Sequence, residues 1–250
     1  MKILSIGNSF SVDAQRYLHQ IAKENGDDIF CGNTYIGGCS LERHYNNILE
    51  DKADYEYHEN GEFTGDMISI KDALLKDDWD YVTVQQVSSF SGYTDSYYPY
   101  ITEIIKYVKE LRPNTKIIMH QTWSYENGSF HGDFFRYDND SDKMHNELVK
   151  SYKEVAKREN IEIIFPCGEI INELRKTKLF DYQNGGASLC RDTFHMDFVF
   201  GRYALSLTWY KILTGKDVTK TTYMPPFEDE NPENIKKIDL IRKTIENYLK

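Results

Sequence analysis

A serine follows the first apolar segment of the chain, within Gly7-Asn8-Ser9-Phe10-Ser11. A serine hydroxyl at a turn from strand to helix can act as a nucleophile. Its own backbone N–H, which has no partner inside the helix, can bind developing negative charge. Two other interpretations stay open here. Ser9 or Ser11 could cap the helix, or the turn could bind phosphate, although one glycine is few for a phosphate-binding loop.

An aspartate and a histidine occur three residues apart near the other end of the chain, in Asp192-Thr193-Phe194-His195. Within a turn, this spacing lets the carboxylate reach Nδ1 of the imidazole. The contact fixes the tautomer and stabilises the imidazolium that forms when Nε2 accepts a serine proton. The alternative is structural, with Asp192 capping a helix and His195 partly buried. The other histidines lack a comparable carboxylate partner in a late loop.

The elements that must position these residues alternate between short β-rich segments and longer amphipathic ones, which is typical of βα units around a parallel sheet. Strands are predicted at 2–7, 29–36, 81–86, 116–121 and 162–165, and helices at 14–25, 97–111, 142–160, 198–213 and 234–249. Ligands bind at the carboxyl ends of the strands in such folds. We therefore expect the loops of Ser9 and His195 to meet at that edge of the sheet.

Two segments depart from this alternation. An Asn-Gly pair between aromatic-bearing flanks predicts a small β-hairpin near residues 55–63, as an excursion at the rim of the fold. The proline-rich and acidic segment 225–230 is predicted to be a surface connection to the last helix.

The composition predicts one globular domain spanning residues 1–250. Of its 250 residues, 40% are apolar and 14% aromatic, which is enough for one substantial α/β core. The net charge of −10 disfavours nucleic acid as a partner, because binding to phosphates depends on clustered Lys and Arg. A small neutral or cationic molecule suits this charge better. No apolar run approaches the roughly 18 to 20 residues that cross a bilayer, so no membrane partner is expected.

The cysteines and the amino terminus bear on the compartment. Cys31, Cys39, Cys167 and Cys190 show neither CxxC spacing nor nearby paired histidines, so no zinc site is expected. Reduced thiols of a cytoplasmic protein are the simplest interpretation. The first residues run directly into a predicted strand rather than a signal peptide, so the sequence as given also favours the cytoplasm.

Together, a strand ending in Gly7-Asn8-Ser9 and a late Asp192-x-x-His195 resemble the first and last sequence blocks of SGNH (GDSL-like) serine hydrolases. The resemblance extends over essentially the whole chain, with asparagine in place of the usual aspartate at position 8. It implies a three-layer α/β/α sandwich around a five-stranded parallel sheet of order 2-1-3-4-5. It also implies a triad of Ser9, His195 and Asp192 that cleaves a short-chain acyl ester without a metal or organic cofactor.

The middle blocks of the family are represented less regularly. In the family, a glycine after the second strand donates its N–H to the oxyanion. The resemblance assigns this role to Gly38 first and to Gly37 second, with Gly37 also a candidate substrate contact. Both glycines could instead only permit a tight turn. The family's third block, Gly-x-Asn, is absent. Gln85 and Gln86 follow the corresponding strand, and a glutamine amide could replace the asparagine donor. The chain thus resembles a poorly characterised branch with Gln-Gln at this position.

The substrate is less defined by the sequence. Trp123 follows the fourth predicted strand and could form a substrate wall that stacks on a sugar ring, or could instead be core packing. The resemblance is compatible with an O-acetyl group on a carbohydrate. Two alternatives remain: a flavodoxin-like module that binds a nucleotide or flavin, and a non-catalytic carbohydrate-binding protein of the same fold.

Overall fold

The computed structural model describes residues 1–227 and 231–250. Helices and strands alternate along most of this chain. The strands are β1 (Lys2–Gly7), β2 (Phe30–Tyr35), β3 (Tyr55–Glu59), β4 (Glu62–Ile68), β5 (Tyr81–Val84), β6 (Lys116–His120) and β7 (Ile163–Phe165). The α-helices are α1 (Ser9–Gln15), α2 (Leu18–Glu24), α3 (Leu41–Leu49), α4 (Ile70–Lys76), α5 (Tyr100–Leu111), α6 (Ser141–Arg158), α7 (Cys167–Arg175), α8 (Phe200–Thr214) and α9 (Pro232–Tyr248).

The strands form one mixed sheet in the order β4-β3-β2-β1-β5-β6-β7. Strands β2, β1, β5, β6 and β7 are parallel. Counted along the chain, these five strands have the predicted order 2-1-3-4-5. Their register brings Gly7 of β1 opposite Tyr35 of β2, and Ile6 opposite Val84 of β5. The loops that follow these strands therefore leave the sheet side by side.

The sheet has two more strands than predicted, because the hairpin belongs to it. β3 pairs antiparallel with β2, and β4 pairs with β3 at the sheet edge. Tyr55 and Tyr57 alternate along β3, and both are buried in the core with Leu4 and Ile6 of β1. Burial of these two rings explains why the segment extends the sheet rather than standing apart at the rim.

Helices cover both faces of the sheet, which confirms the predicted three-layer architecture. Ile3 and Leu4, successive residues of β1, enter different cores because side chains alternate along a strand. Helices α1, α2, α7, α8 and α9 pack together on the face of Ile3, and α3, α4 and α5 pack on the opposite face. In the described part of the chain, no helix is both long and apolar enough to cross a membrane.

Several helices differ from the prediction. The helix predicted at 14–25 is two helices, because the N–H of Tyr17 leaves the helical ladder and donates to Ser206 Oγ of α8 at 3.1 Å. Helices α3, α4 and α7 were not predicted. Ser40 caps α3, and Ser69 forms a capping box with Asp72 at the start of α4. Of the predicted 225–230 connection, residues 228–230 lie outside the described residues.

Candidate active site

The structure brings Ser9, His195 and Asp192 together at the carboxyl edge of the sheet. Ser9 Oγ lies 2.8 Å from His195 Nε2, although the two residues are 186 positions apart in the chain. His195 Nδ1 lies 2.7 Å from Asp192 Oδ2. All three residues are partly buried. A hydroxyl, an imidazole and a carboxylate in this linear order form a chain along which a serine proton can move to the imidazole.

The turn at Ser9 is held by its neighbours. Asn8, rather than Ser9, caps α1, because its side-chain oxygen accepts from the N–H of Phe10 at 3.0 Å. Ser11 Oγ donates to the carbonyl of Asn8 at 2.8 Å. A Cβ on Gly7 would lie 2.3 Å from Ser11 Oγ, so a glycine is needed at that position. These contacts leave the Ser9 hydroxyl available to His195, which argues against the capping interpretation.

The loop that carries His195 is shaped by the carboxylate of Asp192. Besides the imidazole contact, Asp192 Oδ1 accepts from the backbone N–H of His195 at 2.7 Å and of Phe194 at 3.3 Å. Thr193, which lies between Asp192 and Phe194, has a φ of +73°, and this is rare for a residue with a branched side chain. The helix-cap interpretation does not hold, because α8 begins at Phe200 and its first N–H groups donate to Asp197.

The charge state of Asp192 follows from these contacts. Burial alone would raise the pKa of Asp192, but hydrogen bonds from the His195 side chain and backbone, together with the N–H of Phe194, bring the pKa below its ordinary value. The group is therefore a carboxylate at neutral pH. A carboxylate at this position keeps the proton of the neutral imidazole on Nδ1 and leaves Nε2 free to accept one from Ser9.

Asp13, a buried aspartate on α1, holds the loop that carries His195. Asp13 Oδ1 accepts from Arg191 at 3.0 Å and from Arg202 at 2.8 Å, and Asp13 Oδ2 accepts from the N–H of Met196 at 3.0 Å. Because Ser9 begins the helix that carries Asp13, this network couples the positions of Ser9 and His195. The sequence offered no signal for Asp13, since a single acidic residue in a short helix usually faces solvent.

The glycine loop after β2 lies beside Ser9. Gly38 lines the cavity next to Ser9 and His195. Its φ of +62° favours glycine. The loop is tied to the serine turn because Asn8 Nδ2 donates to the carbonyl of Cys39 at 3.0 Å. Gly37 is exposed and does not line this cavity, so neither its predicted role as a substrate contact nor the alternative role of oxyanion donor has support.

The two glutamines after β5 do not offer their amides to the cavity, which corrects the prediction for both. Each side chain is 1% exposed and is used elsewhere. Gln86 donates to Ser96 and accepts from the N–H groups of Leu41 and Val87. Gln85 Nε2 donates to Asn8 Oδ1 at 2.8 Å. Gln85 therefore positions the serine turn, and Gln86 connects the loop after β5 to α3.

Trp123 is not a substrate wall, which corrects a second prediction. Its side chain is 0% exposed, stacks on Phe10 at a centroid distance of 4.0 Å, and donates from Nε1 to the carbonyl of Phe194 at 2.7 Å. The alternative of core packing therefore applies. From this buried position, Trp123 supports both Phe10, which follows Ser9, and Phe194, which precedes His195.

The cavity at Ser9 has a volume of about 120 Å³. Five separate segments of the chain line the cavity. Their lining residues are Asn8, Ser9 and Phe10; Gly38; Val87 and Ser88; His131; and Phe194 and His195. A space of this size accepts a group of a few heavy atoms next to the serine hydroxyl.

Residues 2–239 match the family model described as "Domain of unknown function (DUF4886)". The chain belongs to the DUF4886 family. A crystal structure of a DUF4886 family protein from Bacteroides uniformis is 35% identical, with a TM-score of 0.90 over 100% of this chain and 94% of that chain. No curated protein sequence matches this chain significantly.

The DUF4886 chain is also similar to more distant solved structures. A putative SGNH hydrolase from Slackia heliotrinireducens is 17% identical, with a TM-score of 0.56 over 85% of this chain and 98% of that chain. The acetylxylan esterase Axe2 from Geobacillus stearothermophilus is 15% identical, with a TM-score of 0.54 over 85% and 94%. At these identities the likeness shows a shared fold, and at that level the predicted resemblance to SGNH hydrolases is confirmed.

Six residues that line the cavity of this DUF4886 chain had no site role in the prediction: Asn8, Phe10, Val87, Ser88, His131 and Phe194. Asn8 and Phe10 flank the predicted nucleophile. Val87 and Ser88 directly follow the two glutamines that were chosen instead. Phe194 lies inside the Asp192–His195 motif, but the residue spacing of that motif does not indicate where the Phe194 ring points. His131 comes from the long loop between β6 and α6, whose path no local pattern predicts.

A larger cavity of about 750 Å³ lies at the opposite edge of the sheet of the DUF4886 chain. It is lined by residues at the amino ends of β5 and β6, including Trp79, Asp80 and Lys116, and by none of Ser9, His195 or Asp192. In open α/β sheets, ligands bind at the carboxyl ends of the strands. The smaller cavity is therefore the candidate active site.

Proposed function

We propose that this chain is a serine esterase that hydrolyses short-chain acyl esters through an acyl-enzyme. The observation that carries the proposal is the pair of contacts from Ser9 Oγ to His195 Nε2 at 2.8 Å and from His195 Nδ1 to Asp192 Oδ2 at 2.7 Å. A serine hydroxyl is a weak nucleophile by itself and needs an adjacent base that a third group orients. These three side chains have that arrangement.

The first half of the reaction acylates Ser9. Ser9 Oγ attacks the ester carbonyl carbon while its proton passes to His195 Nε2, and the carbonyl oxygen becomes an oxyanion. The N–H groups of Ser9 and Gly38 bind that oxyanion. The tetrahedral intermediate then collapses, and the bond to the alcohol oxygen breaks. His195 returns the proton to that oxygen, so the alcohol leaves neutral and Ser9 keeps the acyl group.

The second half hydrolyses the acyl-enzyme. His195 Nε2 accepts a proton from a water molecule, whose oxygen attacks the acyl carbon, and the same N–H groups bind the second oxyanion. Collapse of this intermediate releases the carboxylic acid, and His195 returns the proton to Ser9 Oγ. Asp192 stabilises the imidazolium in both halves. The chain's own groups carry out each of these proton transfers.

The size of the cavity supports a short acyl group. A space of about 120 Å³ shared with the nucleophile accommodates an acetyl group more readily than a long alkyl chain. One structural neighbour is an acetylxylan esterase. We therefore propose an acetyl ester of a carbohydrate as the first substrate class to test. The net charge of −10 agrees with a neutral substrate rather than a polyanion.

Hydrolysis of p-nitrophenyl acetate by purified wild type, Ser9→Ala and His195→Ala tests the proposal. We expect activity in wild type and a loss on the order of 10⁴-fold or more in each variant. A panel of acetylated mono- and oligosaccharides then tests the alcohol. Wild-type protein without esterase activity, or variants as active as wild type, would refute the proposal and leave a binding function of the same fold.

A further inference from the structure

The loop after β5 supplies a polar residue to the cavity that none of the preceding assignments uses. With Gln85 and Gln86 engaged elsewhere, Val87 and Ser88 are the residues of this loop that line the cavity with Ser9 and His195. β5 lies next to β1 in the sheet, so the loop leaves the sheet beside the serine turn. Ser88 is 4% exposed, and a hydroxyl buried in this way requires a defined hydrogen-bond arrangement.

The tautomer of His131 bears on the hydrogen bonds behind Ser88. The backbone N–H of Asp133 donates to His131 Nδ1 at 3.2 Å, so Nδ1 carries no proton and Nε2 of the neutral ring must carry one. His131 Nε2 lies 3.4 Å from Tyr125 Oη, a long contact in which the imidazole is the donor. Tyr125 Oη in turn lies 2.7 Å from Ser88 Oγ.

The direction of this chain determines what Ser88 can do. With its oxygen accepting from His131, Tyr125 Oη can direct its own proton to Ser88 Oγ, and we infer that Ser88 Oγ accepts it. The proton of Ser88 Oγ then remains free for a partner in the cavity. Burial lowers the pKa of His131, which keeps the ring neutral at pH 7 and preserves this direction.

We propose that Ser88 Oγ is the third hydrogen-bond donor to the oxyanion, held in the donating orientation by Tyr125 and His131. The inference rests on the proposed esterase function. Ser88 would be a catalytic residue because it touches the reacting oxygen, whereas Tyr125 would be a positioning residue. A hydroxyl that receives a hydrogen bond becomes a stronger donor, and a donor aimed at the oxyanion stabilises the charge that develops there.

The test compares p-nitrophenyl acetate kinetics of wild type, Ser88→Ala, Ser88→Thr, Tyr125→Phe and Ser91→Ala. We expect Ser88→Ala to lower kcat about a hundredfold with little change in KM, because the oxyanion exists only after attack. Ser88→Thr, which keeps a hydroxyl, should recover most of that loss. Tyr125→Phe should lower kcat less, by about tenfold, since Ser88 keeps its proton and loses its orientation.

Ser91→Ala is the matched control. Ser91 is a buried serine of the same loop whose Oγ donates to the carbonyl of Ser88 at 2.8 Å, and it does not line the cavity. We expect kcat close to wild type for this variant. Equal losses in Ser91→Ala and Ser88→Ala would assign the effect to loop packing and overturn the inference. Wild-type kcat in Ser88→Ala would overturn it as well.

Failure of the inference and failure of the proposed function give different results. If wild type is active, Ser9→Ala is inactive and Ser88→Ala is fully active, the esterase proposal stands and the role of Ser88 is wrong. If wild type is inactive, both are wrong. Thermal unfolding of each variant separates misfolding from loss of a donor. Should Ser88→Ala not fold, the kcat and KM of Tyr125→Phe decide, because unchanged kcat there contradicts the oriented donor.

Discussion

Asp13 accepts a hydrogen bond from the backbone N–H of Met196 at 3.0 Å, and this bond links the helix that begins at Ser9 to the residue that follows His195. The Asp13 side chain is fully buried and also pairs with Arg191 and Arg202. The distance between nucleophile and base is thus set by an ion-pair network as well as by the backbone of the two loops.

Asp13→Asn should therefore destabilise the fold and misalign the site. Removing one partner of a buried ion pair leaves the other charge uncompensated, which costs about 3–5 kcal/mol. We expect a lower denaturation midpoint and a lower kcat. Glu173→Gln removes a partner of Lys176 in an exposed pair and should stay within about 1 kcal/mol of wild type. An unchanged midpoint for Asp13→Asn would show that the network does not support the fold.

Asp192→Asn tests the orientation of the imidazole. An amide at this position can donate to Nδ1 and so favours the wrong tautomer, which lowers kcat by about 10⁴-fold in comparable triads. We expect a loss of that order with the backbone hydrogen bonds from His195 and Phe194 retained. Activity within tenfold of wild type would mean that Asp192 does not orient the base.

The stability of the same variant should depend on pH. The folded-state pKa of Asp192 lies below its ordinary value, so its interactions stabilise the fold above about pH 4, where the unfolded group is ionised. That contribution is lost as the pH falls through the lowered pKa. The difference in unfolding free energy between wild type and Asp192→Asn should shrink between pH 6 and pH 2. A difference that grows on acidification contradicts the assignment.

Gly38→Ala tests the glycine loop. A Cβ at position 38 meets nothing within 4 Å, so the cost comes from the φ of +62° and is about 1–2 kcal/mol. Relaxation of this strain should move the N–H away from the oxyanion and lower kcat. Gly215, with a φ of +68° and equally open surroundings, is the matched control far from the site. Gly215→Ala should lose similar stability and keep its kcat.

Phe194→Ala tests the limit on acyl length. Wild type should prefer p-nitrophenyl acetate to the butyrate and octanoate esters in kcat/KM, because the cavity is small. Removal of the Phe194 ring should shift this preference toward the longer esters. Phe130 is 75% exposed and touches Phe194 without lining the cavity, so Phe130→Ala should leave the preference unchanged. Equal rates for octanoate and acetate in wild type would contradict the account.

The sequence was most informative about the fold and the site where a local residue pattern is compatible with only one local structure. The parallel order of five strands brings the loops after β1 and β2 to one edge, and the three-residue spacing of Asp192 and His195 permits their contact within a turn. The hairpin was predicted, but its pairing with β2 was not, because burial of Tyr55 and Tyr57 depends on tertiary packing. Propensity does not report such packing.

The direction in which a loop side chain points could not be predicted from the sequence. Gln85, Gln86 and Ser88 follow the same strand, and only the loop conformation decides that Ser88 reaches the cavity. Trp123 was expected at the rim because it follows a strand, yet stacking on Phe10 keeps it in the core. Asp13 lacked a signal because its partners are far away in the chain.

The central claim is that Ser9 is a nucleophile activated by His195. Incubation with a fluorophosphonate, followed by peptide mass spectrometry of wild type, Ser9→Ala and His195→Ala, tests this most directly. We expect one covalent adduct on Ser9 in wild type, none in Ser9→Ala and strongly slowed labelling in His195→Ala. Folded wild-type protein that stays unlabelled, or that carries its adduct on another residue, would contradict it.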